Sequence, residues 1–323
     1  WDGVPRLDTL FIDYLGAKDT AYNRAVCRKS FTAAVTRAMI PGYKYDNMVI
    51  LAGPQGIGKS TLLDKMSRGW FNDSIRTFEG KDASELLQGV WLVEVSELDA
   101  FRKTDVARIK QFLSLRADRY RAAYGRHVSE LPRQCVFFGS TNTTDFLQDT
   151  TGNRRFWPVD VGEQPHAKTV WRDLTDDVID QLWAEAKARW QAGESLYLSG
   201  DVEQEAKIKQ EEHREVSARE GLIAAFVEKQ VPVDWAKWPI DRRRDYWCGA
   251  TRTPDGQELE LVDRDRIAAV EVWCELFNGN VREMKPADTR EINAILARLD
   301  GWKRSGTVIR VGPYSVQRGF VRA

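Results

Sequence analysis

The stretch GPQGIGKS, residues 53–60, decides the fold that this sequence predicts. It matches the pattern Gly-x-x-x-x-Gly-Lys-Ser/Thr of phosphate-binding loops. The apolar run Met48–Ala52 precedes it and a helical pattern begins at Thr61, which is the strand–loop–helix context that the motif requires. Glycines let backbone N–H groups face phosphates, and the helix N-terminus adds a positive dipole end. The stretch therefore predicts a nucleotide site.

Each residue of this loop has an expected contact with ATP or Mg²⁺. Lys59 is expected to reach the β and γ phosphates, and the Ser60 hydroxyl to ligate Mg²⁺. A glycine turn that binds no nucleotide is the alternative, but a chance match in a chain of this length has a probability of about one in a hundred. The predicted nucleotide contacts are Gly53, Pro54, Gln55, Gly56, Ile57, Gly58, Lys59, Ser60 and Thr61.

Two acidic residues lie within and just after the next apolar run, residues 90–95. An acid at such a strand end holds Mg²⁺ and polarises the attacking water in nucleotide hydrolases. Glu94 lies inside the run and Glu97 lies at its end, so Glu97 is the better candidate for the base and for a second Mg²⁺ ligand beside Ser60. Glu94 stays a catalytic candidate, and a solvent-facing acidic strand end is the alternative for both.

Two further polar sites follow along the chain. Asn142 comes after the apolar run 135–139, where an amide can orient the lytic water; a common strand-ending turn is the alternative. Arg154 and Arg155 precede an aromatic run. A planar guanidinium stabilises the charge on a transferring phosphoryl group, so these residues are candidates for an arginine finger given to a neighbouring subunit. Ordinary surface charge is the alternative.

Composition predicts a globular protein of about two domains, at about 150 residues per domain. The chain has 323 residues, of which 42% are hydrophobic and 30% charged, with 48 basic and 48 acidic side chains. Its longest apolar runs are strand-sized, so no membrane span is expected. The four cysteines are widely spaced, which argues against disulfide scaffolds and zinc sites. The sequence begins at Trp1 without a Met and shows no charged region followed by an apolar stretch, so we expect no secretory signal and a piece of a longer intracellular protein.

Taken in order, these motifs resemble the virulence-associated protein E family of phages and phage-related islands, whose ATPase module is similar to superfamily 3 (AAA+) helicases. The resemblance runs from about Trp1 to Leu198. It implies ATP-driven hexameric work on DNA during replication. Glu94 and Glu97 are separated where many P-loop enzymes have adjacent acids, so the choice of base stays open. The segments that carry the resemblance are WDGVPRL at 1–7, the loop at 53–60, WLVEVSEL at 91–98, STN at 140–142 and GNRRFWP at 152–158.

Superfamily 3 enzymes carry a pore-lining hairpin between the acidic strand and the asparagine strand. Residues 118–128, DRYRAAYGRHV, show strand-like alternation with a glycine turn in this interval. Basic side chains that follow phosphates beside aromatic rings suit single-stranded DNA. A solvated basic hairpin is the alternative. The predicted DNA contacts here are Arg119, Arg121, Tyr124, Arg126 and His127.

The fold expected is α/β, with a P-loop AAA+ parallel sheet, an N-terminal helical collar and a C-terminal winged helix. Helical patterns cover 203–228, 266–277 and 289–299, the last with Asp288 as its N-cap, and two strand patterns follow around Gly312. A winged helix that binds protein is the alternative to one that binds DNA. The predicted DNA contacts here are Arg290, Arg298, Lys303 and Arg304. The predicted boundaries are 1–44 collar, 45–165 ATPase core, 166–230 helical extension, 231–260 linker or insertion and 261–323 winged helix.

The leading functional prediction is an ATP-dependent DNA helicase or translocase in the cytoplasm of a bacterial host. It would act as a homo-hexamer on single-stranded or forked DNA, with Mg²⁺ and with a primase module upstream. A DNA-binding initiator or loader that uses ATP as an assembly switch is the second hypothesis. A protein-remodelling ATPase is the third, and for it the basic hairpin would be incidental.

Overall fold

The computed structural model describes residues 1–97, 103–121, 127–147, 153–166, 168–214, 217–249 and 259–323. The chain divides into two compact units, Trp1–Glu215 and Val216–Ala323. Over the described residues, no helix has both the length and the apolar character needed to cross a bilayer.

The first unit alternates strands and helices. Its helices are α1 (Leu10–Leu15), α2 (Ala21–Met39), α3 (Lys59–Ser67), α4 (Gly80–Glu85), α5 (Lys103–Leu113), α6 (Asp176–Gln191) and α7 (Asp201–Glu212). Its strands are β1 (Met48–Ala52), β2 (Phe71–Asn72), β3 (Leu92–Val95), β4 (Ala117–Tyr120), β5 (Ser129–Pro132), β6 (Val136–Thr141) and β7 (Phe156–Asp160). Short 3-10 turns cover Leu7–Thr9 and Asn153–Arg155.

Five of these strands form a parallel sheet in the order β2-β3-β6-β1-β7. All five residues of β1 are buried, as expected for a central parallel strand covered on both faces. Val49 and Leu51 face a core that includes α1, α2 and α6, whereas Met48, Ile50 and Ala52 face a second core that includes α5. The predicted α/β class, with a parallel sheet flanked by helices, is confirmed.

The strands β4 and β5 form a separate antiparallel hairpin between β3 and β6 in the chain. β4 overlaps the predicted stretch 118–128, whereas β5 begins just after it, at Ser129. A buried ion pair holds its base, with Arg133 Nε 2.7 Å from Asp118 Oδ2 and the guanidinium 4.1 Å from the ring of Phe112. The Ser84 hydroxyl also donates to Asp118, at 2.9 Å. The hairpin is therefore anchored to α4 and α5 at its base.

The second unit contains short helices and strands. Its helices are α8 (Ala218–Glu228), α9 (Ile240–Trp247), α10 (Ala269–Glu271, continued by a π-helical turn, Val272–Leu276) and α11 (Pro286–Leu296). Its strands are β8 (Val231–Pro232), β9 (Leu261–Val262), β10 (Arg266–Ile267), β11 (Trp302–Arg304), β12 (Ile309–Arg310), β13 (Val316–Gln317) and β14 (Phe320–Arg322). The antiparallel sheet has the order β10-β14-β11, and β12 pairs with β13.

Three predicted helices need correction. The helix predicted over 203–228 is two helices, α7 and α8, because the ring of His213 turns inward to contacts with Thr144 and Asp160 at the end of α7. The helix predicted over 266–277 starts later, because Ile267 pairs with Phe320 in the sheet. The helix predicted over 289–299 is α11. Asp288 lies in its first turn, where the carboxylate accepts the Lys285 N–H at 3.1 Å.

A buried charged group, the Arg243 cluster, lies inside the second unit and consists of Arg243, Glu271 and Glu275. Arg243 Nη1 lies 3.1 Å from Glu271 Oε1 and 2.9 Å from Glu275 Oε1. Its other N–H groups donate to the carbonyls of Trp235 and Trp238. Burial, with Glu275 adding to it, raises the pKa of Glu271 to about 7. The guanidinium thus links α9 to the turn that follows α10.

Candidate nucleotide site

The glycine-rich loop connects β1 to α3 at the carboxyl end of the strand. Gly56 and Gly58 have φ values of +84° and +99°, in the left-handed region that favours glycine. A Cβ atom at Gly53 would overlap the carbonyl oxygen of Val161. Two of the three glycines are therefore required by backbone conformation and one by space. The Gly53 N–H donates to the Thr141 carbonyl at 3.1 Å, which ties the start of the loop to the end of β6.

Lys59 lies within this loop and joins it to the end of β6. Its Nζ atom donates to the carbonyl oxygens of Gly53 at 2.5 Å, Pro54 at 3.1 Å and Thr141 at 3.2 Å, and to Asn142 Oδ1 at 3.1 Å. Burial lowers the pKa of Lys59, and the nearby Glu94 opposes that effect. Two residues that the sequence singled out, Lys59 and Asn142, are thus in direct contact.

Glu94 receives two hydroxyl hydrogen bonds from neighbouring elements. Ser60 Oγ donates to Glu94 Oε1 at 2.8 Å and Ser140 Oγ donates to the same oxygen at 2.5 Å. The residue is only 1% exposed. Within the described part of the chain, its second oxygen, Oε2, is buried without a hydrogen-bond partner. Burial raises the pKa of Glu94, and the two serine hydroxyls oppose that rise.

This group of oxygens suits a hard divalent cation such as Mg²⁺, which prefers hydroxyl, carboxylate and water ligands. Ser60 supplies a hydroxyl, and Glu94 supplies one shared and one unpartnered carboxylate oxygen. The acid that contacts Ser60 is Glu94, whereas the sequence pairs Ser60 with Glu97. The assignment of Glu97 to the metal stays a prediction.

Glu97 lines the same cleft, which has a volume of about 290 Å³. It is exposed and has a φ of +56°, a conformation that a non-glycine residue adopts uncommonly.

Two of the predicted loop contacts have side chains that face away from the cleft. Pro54 packs toward Gly162, and Ile57 packs on the core. The cleft is lined by Gln55, Gly56, Gly58, Lys59, Ser60, Thr61, Ser96, Glu97, Ser140, Thr141, Asn142 and Trp171.

Arg154 and Arg155 lie at the amino end of β7, whereas the cleft lies at the carboxyl ends of the strands. They belong to the 3-10 turn that precedes β7, whereas the loop follows the carboxyl end of β1, which is parallel to β7. Arg154 is exposed. Arg155 Nε lies 3.4 Å from Asp46 Oδ2 and donates to Ser114 Oγ at 3.1 Å. The structure does not bring the two arginines to the loop of their own chain.

Three of the five predicted DNA contacts of the first unit are among the described residues, and they lie on or beside the hairpin. Arg119 and Arg121 are exposed, and their spacing of two puts them on one face of an extended chain. Arg119 Nε is 3.5 Å from Glu130 Oε2 on the paired strand. His127 is exposed. Tyr124 and Arg126 lie outside the described residues.

The predicted DNA contacts of the second unit differ in their exposure. Arg290, on α11, is exposed, as are Lys303 and Arg304 on β11. Arg298 is half-buried, with Nη2 3.4 Å from Glu220 Oε2. Three of the four side chains are thus available to solvent, and the fourth contacts α8.

Sequence reasoning missed two residues of the cleft and one buried histidine. Ser140 binds Glu94, Trp171 lines the cleft, and His213 is buried at the end of α7. His213 Nδ1 is 2.6 Å from the Thr144 carbonyl and Nε2 is 2.9 Å from Asp160 Oδ1. Burial lowers the pKa of His213, but these neighbours outweigh burial and raise it overall. Only Ser140 carried a signal, since it precedes the singled-out Asn142 by two residues.

A family model described as virulence-associated protein E-like domain matches residues 1–215. Among solved structures, the chain is similar to the apo structure of the NrS-1 C-terminal region (305–718), with 14% identity and a TM-score of 0.47, over 100% of this chain and 77% of that one. It is also similar to the A form apo structure of the same region, with 12% identity and a TM-score of 0.48, over 100% of this chain and 76% of that one. No curated protein sequence matches it.

Proposed function

Because the chain belongs to the virulence-associated protein E-like family, we propose that it is a P-loop ATPase of the AAA+ type that moves single-stranded DNA through a hexameric ring during phage or island replication. One observation carries the proposal. Lys59 binds Asn142 and Ser60 binds Glu94, so the glycine-rich loop is joined to both strands on one side of β1. The strand order supports this reading, because β6 and β3 bring the amide and the acid to the loop.

The residues of the cleft suggest a division of roles in ATP hydrolysis. Lys59 would exchange contacts with loop carbonyls for phosphate oxygens, and Ser60 with Glu94 would hold Mg²⁺. The bound metal would neutralise charge that develops on the transferring phosphoryl group. Asn142 would orient the attacking water, and an acid would accept its proton. Two residues are candidates for this proton acceptor: Glu97, in the cleft wall, and Glu94, beside Ser60.

The position of the arginines supports a homo-oligomer. Arg154 and Arg155 lie at the amino end of β7, away from the cleft at the carboxyl ends of the strands. Either one could therefore complete only the site of a neighbouring chain, as arginine fingers do. A closed ring repeats that arrangement at every interface. In this proposal the ring is a hexamer in the bacterial cytoplasm, α1 and α2 contribute to its collar, and Arg119 and Arg121 face single-stranded or forked DNA in its pore.

The second unit supports a DNA-binding winged helix. The chain order is β10, then α10 and α11, then β11 and β14, and the sheet order is β10-β14-β11. The hairpin β12–β13 lies between β11 and β14 in the chain. Both features agree with that architecture. Exposed Arg290, Lys303 and Arg304 would contact phosphates. These residues also favour a second candidate, an initiator or loader that uses ATP as an assembly switch.

ATP hydrolysis with Mg²⁺, with and without single-stranded DNA, tests the proposal. We expect Lys59→Ala to abolish turnover, and Lys18→Ala, which removes an exposed lysine from the same unit, to leave it unchanged. Normal hydrolysis by Lys59→Ala would refute the site. Loss of DNA stimulation in an Arg119→Ala, Arg121→Ala variant is expected for a motor and not for a protein-remodelling ATPase.

Strand displacement on forked DNA separates the two DNA hypotheses. A translocase should separate the strands in an ATP-dependent reaction. An initiator or loader should bind DNA and assemble with ATP but leave the duplex intact.

A further inference from the structure

Trp171 is an exposed aromatic residue in the wall of the nucleotide cleft. Its side chain is 59% exposed, and the edge of its ring would lie 3.4 Å from a Cβ atom at Gly58. Thr61, the first residue after Ser60, lines the same cleft. Within the described residues, the indole N–H has no hydrogen-bond partner and the ring stacks on no other ring. A flat apolar surface therefore faces the cleft beside the start of α3.

The backbone that carries Trp171 is fixed to α3. Lys65 Nζ donates to the carbonyl oxygens of Val170 at 2.8 Å, Trp171 at 3.3 Å and Leu174 at 3.2 Å. In the same turn, the Thr169 N–H donates to Asp173 Oδ2 at 2.7 Å. A single exposed aromatic residue is ordinary on a protein surface. This one differs because its turn is held to the helix that begins at the glycine-rich loop.

The sheet order gives the direction in which a bound nucleotide would lie. β6, which leads to Asn142, and β3, which contains Glu94, are on one side of β1, whereas β7, the last strand before Trp171 in the chain, is on the other side. The terminal phosphate belongs near Asn142 and Glu94, where Lys59 and Ser60 meet them. The sugar and the base would then extend away from β6 and β3, and Trp171, whose ring lies beside Gly58, offers an aromatic face in the wall of that cleft.

We propose that Trp171 is the platform on which the purine base of the bound nucleotide stacks. This inference rests on the proposed nucleotide site and adds to it a separate subsite for the base. Stacking of a base on an aromatic ring contributes affinity with little discrimination between bases, since each base has a π face. Trp171 would thus bind adenine and guanine nucleotides with similar strength.

Calorimetric titration of the full chain with ADP and with pyrophosphate, each with Mg²⁺, separates the base from the phosphates. Trp171→Ala should weaken ADP binding by about 5- to 150-fold and leave pyrophosphate binding unchanged. Trp171→Phe should recover most of the loss. Trp70→Ala is the matched control, because Trp70 is 56% exposed in the same unit but does not line this cleft.

Two outcomes would overturn the inference while the phosphate site stands. Unchanged ADP binding in Trp171→Ala would show that the base contacts other residues. An equal loss of ADP and pyrophosphate binding would show that Trp171 supports the loop. If the wild-type chain binds neither ligand, the proposed nucleotide site itself is wrong, and the proposed base subsite is then wrong as well.

Discussion

Removal of the Ser140 hydroxyl should move the pH dependence of ATP hydrolysis. Ser140 Oγ donates to Glu94 Oε1 at 2.5 Å in a buried setting. A hydrogen bond to a charged group contributes about 1.5–3 kcal/mol, and one pKa unit corresponds to about 1.4 kcal/mol. The bond stabilises the ionised carboxylate, which burial disfavours. Ser140→Ala should therefore raise the pKa of Glu94 further, by up to about 2 units.

Ionised Glu94 is the form that would hold Mg²⁺ or accept a proton, so activity should rise with pH through its pKa. In Ser140→Ala that rise should occur at higher pH by the same amount, with recovery of the rate in alkaline buffer. Steady-state ATP hydrolysis over a pH series measures the midpoint. Thr36→Ala is the control, because it removes a buried hydroxyl that donates only to a backbone carbonyl in α2. An unchanged midpoint in Ser140→Ala would refute the electrostatic role given to this hydrogen bond.

Three other perturbations test the structure at separate places. Arg243→Met should destabilise the second unit by about 3–5 kcal/mol, because it leaves two buried glutamates without the cation that contacts them directly; thermal unfolding measures the loss, and a change below about 1 kcal/mol would contradict the cluster. The raised pKa of His213 stabilises the fold fully below pH 6.5, its ordinary pKa, and that contribution is lost as pH rises through the raised value. Melting temperatures of wild type should thus fall over this interval, and those of His213→Asn should not. A chain with Arg154→Ala and Arg155→Ala should regain hydrolysis when it is mixed with Lys59→Ala, since some mixed interfaces contain one intact lysine and one intact pair of arginines; no recovery would contradict a finger in trans.

The sequence was most informative where the structure depends on neighbours along the chain. β1 and α3 lie on the two sides of the loop at 53–60, as the motif predicts, and α1 and α2 lie in the segment 1–44, which is predicted to be helical. The sequence favoured Glu97 over Glu94 because Glu97 ends the apolar run. The contacts of Glu94 come from Ser60 and Ser140, which are 34 and 46 residues away. No local pattern can report which of two acids faces a hydroxyl on another strand.

Long-range pairing also explains what was missed in the second unit and around the cleft. β10 has only two residues, and it forms because Ile267 pairs with Phe320 across the sheet. Because the strand is so short, the helical periodicity of the sequence around α10 includes it, and the helix is predicted to begin at residue 266. Trp171 gave no signal, because its place in the cleft depends on Lys65 and on the strand order. His213 likewise acquires its partners only when β7 and the end of β6 meet α7.

The strand order separates nucleotide binding from hydrolysis in the proposed enzyme. One chain contains the loop, the acid, the amide and the aromatic wall around a single cleft, so a monomer should bind nucleotide. Arg154 and Arg155 lie at the amino end of β7, beyond reach of that cleft. Hydrolysis that requires them therefore requires a second chain, whereas binding does not. Such a division would allow the protein to take up ATP before assembly and to hydrolyse it only within the ring, a property shared by the motor and the switch hypotheses. The two hypotheses differ in whether hydrolysis then moves DNA, which makes strand displacement the experiment that decides between them.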